Sequence, residues 1–231
     1  MKINKIHDWN ITFKKAAGIQ RELARAVVTT GTPKNVELIG GVDMAYDKAT
    51  DQAFASLVIL EYPSLKVIEV ICRAGIISLP YVSGYLSFRE APLILDMLEH
   101  LDDLANVGEI DLLYIDGQGI AHPRGLGLAS HIGLFLDIPV IGCAKSRLVG
   151  YFEEPGPEKG DYSKLWYKDK VVGNVLRTRD NTKPIFVSPG NRISIEQARI
   201  WTLNVSRKYK IPVPTRLADK EVAKFKKRVL P

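Results

Sequence analysis

The sequence predicts an α/β protein on one mixed sheet, with three antiparallel strands followed by parallel strands and helices on its faces. Three observations carry this. Residues 36–46, 53–61 and 66–76 are runs rich in Val, Ile and Leu, separated by only a few turn residues. Connections that short join antiparallel neighbours. Residues 111–116 and 139–143 are apolar runs with a helical segment between them, the βαβ order of a parallel pair. Between the two halves, the segment 87–105 repeats Ile94, Met97, Leu98, Leu101 and Leu104 at helical spacing.

Taken in order, the chain opens with a helix over 12–28, where Ile19, Leu23, Ala26 and Val27 form one apolar stripe. Asp47 to Asp51 and then Pro63-Ser64 turn the chain between the first three strands, and Pro80, Ser83 and Gly84 interrupt it before the helix at 87–105. Strand 111–116 leads through a Gly-rich loop to a helix near 125–136 and a strand at 139–143. The breaker-rich segment 153–163 (Glu153, Pro155, Gly156, Pro157, Gly160) reads as a surface loop. Strands fit 170–177 and 184–188, and helices near 194–209 and 215–230 close the chain, parted by Pro212 and Pro214. In the last helix Ala218, Val222, Phe225 and Val229 make the buried stripe. No repeat and no clear linker divides the chain, so a single domain over 1–231 is expected. Three antiparallel strands joined to a parallel βαβ pair is the order of a ribonuclease H-like sheet.

Composition narrows the class. An apolar fraction of 46% and a charged fraction of 25% over 231 residues are globular values. No apolar run approaches the roughly 20 residues that span a bilayer, and Met1 to Asp8 is too mixed for a signal peptide. A cytoplasmic protein without a membrane partner is expected. Cys72 and Cys143 lie in apolar runs and read as buried, reduced thiols. The net charge of +6 is uneven: residues 201–231 hold nine Lys/Arg against two acids. Such a tail is either a solvated helix face or a surface for a polyanion.

Two apolar strands each carry one aspartate, Asp43 in Leu38-Ile39-Gly40-Gly41-Val42-Asp43 and Asp116 in Leu112-Leu113-Tyr114-Ile115-Asp116. A buried carboxylate is costly unless something positive meets it. No arginine stands beside either, and a hard cation shared between them would resolve the cost. Asp116 also ends a parallel strand, where sites in open α/β sheets form. Glu90 lies i−4 from Ile94 and i−7 from Met97, which turns it toward the sheet. Ser87-x-x-Glu90 also fits a capping box, the reading that local sequence favours. Lys145 follows strand 139–143 and could meet a phosphate or stay a surface lysine. Asp219 borders the stripe of the last helix, near its start, where an acid also answers the helix dipole. His122, beside Pro123, is either functional or a structural hydrogen-bond partner, and His131 is expected to pack against its own helix. In chain order Asp43, Glu90, Asp116 and Asp219 have the layout of a phosphodiesterase carboxylate cluster. Four such charges in one cleft require divalent metal.

These motifs resemble one family, endonuclease V, over nearly the whole chain. The most specific stretch is Asp116-Gly117-Gln118-Gly119-Ile120-Ala121-His122-Pro123-Arg124, continued by Gly127-Leu128-Ala129-Ser130-His131-Ile132-Gly133. Gly41-Val42-Asp43, Phe88-Arg89-Glu90, Ala144-Lys145-Ser146-Arg147 and Pro214-Thr215-Arg216-Leu217-Ala218-Asp219 fall in the family's order. The resemblance implies a ribonuclease H-like, Mg²⁺-dependent DNA repair nuclease, with Mn²⁺ as a substitute. Such an enzyme finds deaminated purines, chiefly deoxyinosine, and cuts the second phosphodiester bond on the 3′ side, leaving 3′-hydroxyl and 5′-phosphate ends. By the family pattern Asp43 and Asp116 hold the metal, Glu90 and Asp219 complete the site, and Lys145 approaches the scissile phosphate or the attacking water. Pro80-Tyr81-Val82-Ser83-Gly84 matches the family's strand-separating wedge, usually Pro-Tyr-Ile-Pro-Gly, but Val82 replaces Ile and Ser83 replaces Pro. By resemblance, Gly84, Leu86, Gly119, His122 and Leu148 wall the pocket for the flipped base. Asn191 stands where the family more often has His and is assigned no catalytic role.

A monomer acting on DNA is expected. Inosine in single-stranded RNA is an alternative substrate, because contacts to the 2′-hydroxyl are not readable from sequence. A non-catalytic nucleic-acid module would rest on the basic tail alone, against the in-order acids. A phosphate-binding metabolic enzyme would need a nucleotide motif that the Gly117–Gly119 loop lacks.

Overall fold

The computed structural model describes residues 1–230 apart from Lys48, Ser78 and residues 104–107, with the backbone alone described at Asp102 and Asp103. Leu104 of the predicted helical stripe therefore lies outside the described residues. Among the described residues, eight strands form one sheet: β1 (Leu38–Tyr46), β2 (Gln52–Glu61), β3 (Val67–Ile76), β4 (Leu112–Asp116), β5 (Val140–Ala144), β6 (Tyr162–Tyr167), β7 (Lys170–Leu176) and β8 (Ile185–Asn191). Their order is β3-β2-β1-β4-β5-β8-β7-β6. The first three strands pair antiparallel, and β4 runs parallel to both β1 and β5. This is the expected ribonuclease H-like core, with an antiparallel extension, β8-β7-β6, added beyond β5.

Among the described residues, five α-helices flank the sheet: α1 (Phe13–Leu23), α2 (Leu86–Glu99), α3 (Leu128–Phe135), α4 (Ile195–Asn204) and α5 (Val213–Val229). Strand parity divides the core. Val42, Leu113 and Ile115 face α2 and α3, meeting Ala91, Ile94, Leu98, Leu128 and Ile132. Ile39, Leu112, Tyr114 and Ile141 face the other side, toward Ala198 and Val205. The α5 helix closes that side over β1 and β2, with Ala218 and Val213 against Val58 and Leu60.

Several expected boundaries move, each for a local reason. The first helix stops at Leu23 rather than residue 28. Val27, Val28, Thr29 and Thr30 are all β-branched and disfavour helix, and Val28 N–H instead donates to Asn191 Oδ1 at 2.9 Å. The fourth helix ends at Asn204, well short of residue 209. Strand β6 falls partly in the expected surface loop. It is an edge strand with only Leu165 buried, and its hairpin turn places Lys168 and Asp169 at φ 49° and 59° without the Asn-Gly signal such turns usually carry. Strand β8 runs on through Pro189 because a register irregularity between Val140 and Ile141 absorbs the missing donor. Cys143 is buried as expected, but Cys72 is only half-buried on the edge strand. Val229 is 41% exposed and does not extend the α5 stripe.

One close approach sets where α5 lies. A Cβ on Gly41 would stand 2.3 Å from the carbonyl carbon of Pro214 and 2.4 Å from its oxygen. Only glycine lets the first turn of α5 sit directly on β1. Gly41→Ala should therefore lower the unfolding free energy by about 2 kcal/mol or more, read as a fall in urea midpoint at unchanged slope. An unchanged midpoint would mean that α5 does not depend on that contact.

Candidate active site

The acidic residues converge because β1 presents different residues to different helices. Gly41 and Asp43 face α5, whereas Val42 and Met44 pack toward α2. The parallel register pairs Val42 with Ile115, so one step further it brings Asp43 beside Asp116. Both aspartates share the α5 face. Asp43 Oδ1 accepts from Met44 N–H at 2.7 Å. Lys145, just past β5, ion-pairs with Asp116 Oδ2 at 2.6 Å and lies 3.9 Å from Asp219 Oδ1 on α5. Asp219 is largely exposed, with 63% of its side chain accessible.

Glu90 does not cap α2. The helix begins at Leu86 behind Tyr85, with no side-chain cap, so Ser87 is already inside it. Ser87 Oγ instead bonds His131 Nδ1 at 2.9 Å. Glu90 is buried and accepts a short hydrogen bond from the Tyr46 hydroxyl at the end of β1. Sequence reasoning does not find Tyr46 as a site residue. Its spacing of two from Met44 places it on the α2 side, but only the packing of α2 shows that Glu90 waits there. The Arg89 guanidinium stacks 4.8 Å over the Tyr46 ring, and Arg89 Nη1 donates to Leu79 O at 3.0 Å. His131 does more than pack on its own helix. Its Nε2 meets His7 Nε2 at 2.7 Å, and its ring lies among Trp9, Phe88 and Phe135.

Electrostatics mark the cluster. Burial, then repulsion from Asp116, pushes the Asp43 carboxyl up to about 8. Burial lifts Glu90 to about 7, against the Tyr46 hydrogen bond, with Asp116 adding to the rise. Burial works against the Lys145 ammonium, but its bond to Asp116 and the pull of Asp43 and Asp219 carry its pKa above the usual lysine value. Among the described residues, no group of three or more His, Cys, Asp or Glu side chains is arranged to hold a metal ion. The Asp43–Asp116 pair nevertheless suits a small hard cation of the Mg²⁺ kind, which takes one or two carboxylates and completes its shell with water and phosphate.

Beside this cluster lies a cavity of about 70 Å³ lined by Tyr81, Ser83, Gly84, Leu86, Ser87, Gln118, His122, Gly127, Leu128 and Leu148. Four of the five expected pocket residues are there. Gly119 is not: a Cβ on it would meet Pro189 O at 1.9 Å, so it packs against β8 and lets the loop pass. Gln118 takes its place on the wall. Sequence reasoning misses it, because a glutamine in a Gly-rich loop carries no signal of its own. The residues expected to form the wedge, Pro80, Tyr81, Val82 and Ser83, are exposed, Tyr81 by 69%. Their base is fixed at Gly84, whose carbonyl accepts from Gln20 Nε2 and His122 Nε2, both at 3.0 Å, and from Arg124 Nη2. Burial holds the His122 ring down at about 4, so it is neutral. It donates from Nε2, while Nδ1 accepts from Arg124 N–H at 3.2 Å. Asn191 is structural: besides the bond to Val28, its Nδ2 donates to Gly133 O at 2.7 Å.

A ribonuclease H-like sheet with carboxylates gathered at the ends of its central strands defines a nuclease-type fold. Comparison with known proteins names the branch. The family model described as Endonuclease V matches residues 21–220. An endonuclease V of Dehalococcoides mccartyi is 43% identical over 225 residues, covering 97% of this chain and 99% of that one. The solved endonuclease V of Streptomyces avermitilis superposes with a TM-score of 0.89 at 37% identity, covering 96% of each chain. That of Ciona intestinalis, solved with a 24mer DNA containing an inosine followed by a ribo-adenosine, has a TM-score of 0.84 at 29% identity over 94% of this chain and 98% of that one. The chain belongs to the endonuclease V family.

The raised carboxyl of Asp43 has a consequence for stability. The folded protein keeps a proton on Asp43 that the unfolded chain releases above about pH 4. Without added metal, stability should therefore be greatest, as far as this group acts, below pH 4, and fall as pH rises toward 8. Asp43→Asn should flatten that fall, leaving the variant about 2 kcal/mol more stable than the wild type at pH 8. Urea unfolding from pH 5 to 8 in EDTA reads it, and parallel profiles would show that Asp43 is ionised at no cost.

Proposed function

We propose that this protein is a metal-dependent endonuclease that recognises deaminated purines in DNA, deoxyinosine foremost, and hydrolyses the second phosphodiester bond 3′ to the lesion. The observation that carries the reading is the Asp43–Asp116 pair with Lys145 at 2.6 Å, set beside a cavity bounded by the exposed Tyr81. The Ciona relative, solved with inosine-containing DNA, supports the substrate. The position of the cut and the 3′-hydroxyl and 5′-phosphate products rest on the family resemblance.

Asp43 and Asp116 would hold Mg²⁺, or Mn²⁺ in its place. When bound, such an ion offsets charge on the phosphate and makes water a better nucleophile. Lys145, cationic and half-exposed, is the protein's own positive group for the scissile phosphate. Glu90, with a pKa raised to about 7, can exchange a proton with water at neutral pH. Asp219 adds a fourth carboxylate from α5 and helps hold the Lys145 ammonium. Tyr81, exposed at the wedge tip, would stack where the extruded base had been. The chain acts as a monomer in this reading.

Purified protein with Mg²⁺ at pH 7–9 should nick a duplex carrying one deoxyinosine, and EDTA should stop it. An intact lesion strand would sink the proposal. Asp43→Ala should reduce cutting by about a thousandfold or more while leaving DNA binding largely present, and full activity would remove Asp43 from the site. Tyr81→Ala should narrow the difference in gel-shift affinity between inosine and undamaged DNA by roughly tenfold; an unchanged difference would remove Tyr81 from recognition. The DNA in the Ciona complex has a ribo-adenosine after its inosine, which favours testing RNA as a second substrate. Matched inosine-containing DNA and single-stranded RNA cut side by side would rank the two.

A further inference from the structure

A groove of about 520 Å³ opens where the end of α1, the loop after β4 and the β6–β7 hairpin meet. Five cationic side chains line it: Arg21 and Arg25 at and just past the end of α1, Arg124 from the loop, and Lys168 and Lys170 from the hairpin. Among the described residues, no carboxylate lines it; Glu22 and Asp169, adjacent in sequence, are not part of its walls. Arg21, Arg25, Lys168 and Lys170 are exposed, and among the described residues none of the four has an ion pair or a side-chain hydrogen bond. Lys5 and Lys224, exposed on other faces, stand beside Asp8 and Glu221.

The walls of this groove are fixed against one another. Gln20, fully buried, donates from Nε2 to Leu126 O at 3.2 Å and accepts from Arg124 Nε at 2.6 Å, which ties α1 to the loop. The hairpin is held by its own pairing and by that of β7 with β8. Arg124 keeps its charge although Nε and Nη2 are committed. Ile120, Pro123 and Val172 add half-buried apolar walls. Low-dielectric walls around charges of one sign focus the field and concentrate counter-ions of the other. Three chain segments far apart in sequence thus build a rigid, wholly cationic groove whose repulsion a polyanion would offset.

We propose that this groove holds the phosphodiester backbone of the nucleic acid flanking the extruded base, without regard to base identity. Continuity with the cavity favours nucleic acid over other polyanions. His122 lines both the cavity and the groove, and Arg124 reaches from the groove to the Gly84 carbonyl beneath residues 80–83. The inference rests on the nucleic-acid part of the proposed function and extends it from the lesion to its flank. The groove supplies affinity and register, and the cavity supplies specificity.

The test removes charge from two walls at once. Arg25→Ala/Lys170→Ala is compared with wild type and with Lys34→Ala/Lys66→Ala. The control loses the same charge at exposed positions near the strand ends paired at Leu38 and Glu61, away from Asp43. Binding of an inosine duplex and of its undamaged counterpart is measured in EDTA between about 50 and 200 mM salt. The groove variant should bind both duplexes about tenfold more weakly at mid-range salt, with the slope of log affinity against log salt shallower by about 2. Its preference for inosine should stay at the wild-type value, and the control should keep the wild-type slope. A slope that is unchanged, or that changes equally in both variants, overturns the groove. A wild type that binds both duplexes without preference, while the groove variant still loses slope, upholds the groove and sinks the deaminated-purine reading. A wild type that binds neither duplex overturns the nucleic-acid reading and this inference with it.

Discussion

The arrangement of this molecule turns on the cost of holding Asp43 and Asp116 side by side on adjacent parallel strands. Burial and mutual repulsion raise the Asp43 carboxyl to about 8, so the pair carries a deficit of positive charge built into the centre of the sheet. Lys145 answers part of it through Asp116. Asp219 tethers the same ammonium from the far side of the cleft at 3.9 Å, and Glu90 feels the Asp116 charge from α2. Sites that trade folding stability for reactive charge in this way are common where a ligand completes the balance.

Strand β1 is the hinge of the design because its two faces serve different helices. Gly41 admits the start of α5, which brings Asp219 within reach. The opposite face ends at Tyr46, which reaches Glu90 on α2. Lys226 of α5 donates back to the Tyr46 carbonyl, so the end of β1 is held from both sides. A second anchor is the Gly84 carbonyl, where α1 and the loop after β4 both converge through Gln20, His122 and Arg124. The exposed residues 80–83 are thus carried on a fixed base.

Much of this is legible in the chain. Among the described residues, periodicity and turn residues locate seven of the eight strands and all five helices, and the two aspartates in apolar strands point to the candidate site through their charge alone. Strand β6 escapes because an edge strand with one buried residue has no apolar run, and its turn spends positive φ angles on Lys168 and Asp169 instead of the usual Asn-Gly. The first helix reads too long because the apolar spacing continues through Val27 while the β-branched run opposes helix. A hydrogen bond to Asn191, more than 160 positions away, settles the contest.

By itself, the sequence determined the class of sheet, the acidic residues that belong at its centre, and through the Asp116–Arg124 stretch the family. Those are properties of local pattern and residue chemistry. Only the tertiary structure decided that Glu90 meets Tyr46 rather than capping its own helix, that Gly119 packs under β8 while Gln118 takes the cavity wall, and that Asn191 ties three segments together. Each depends on which side chain lies opposite across a strand or helix boundary. That choice is made by parity, close backbone approach and the satisfaction of buried hydrogen bonds between residues far apart in the chain.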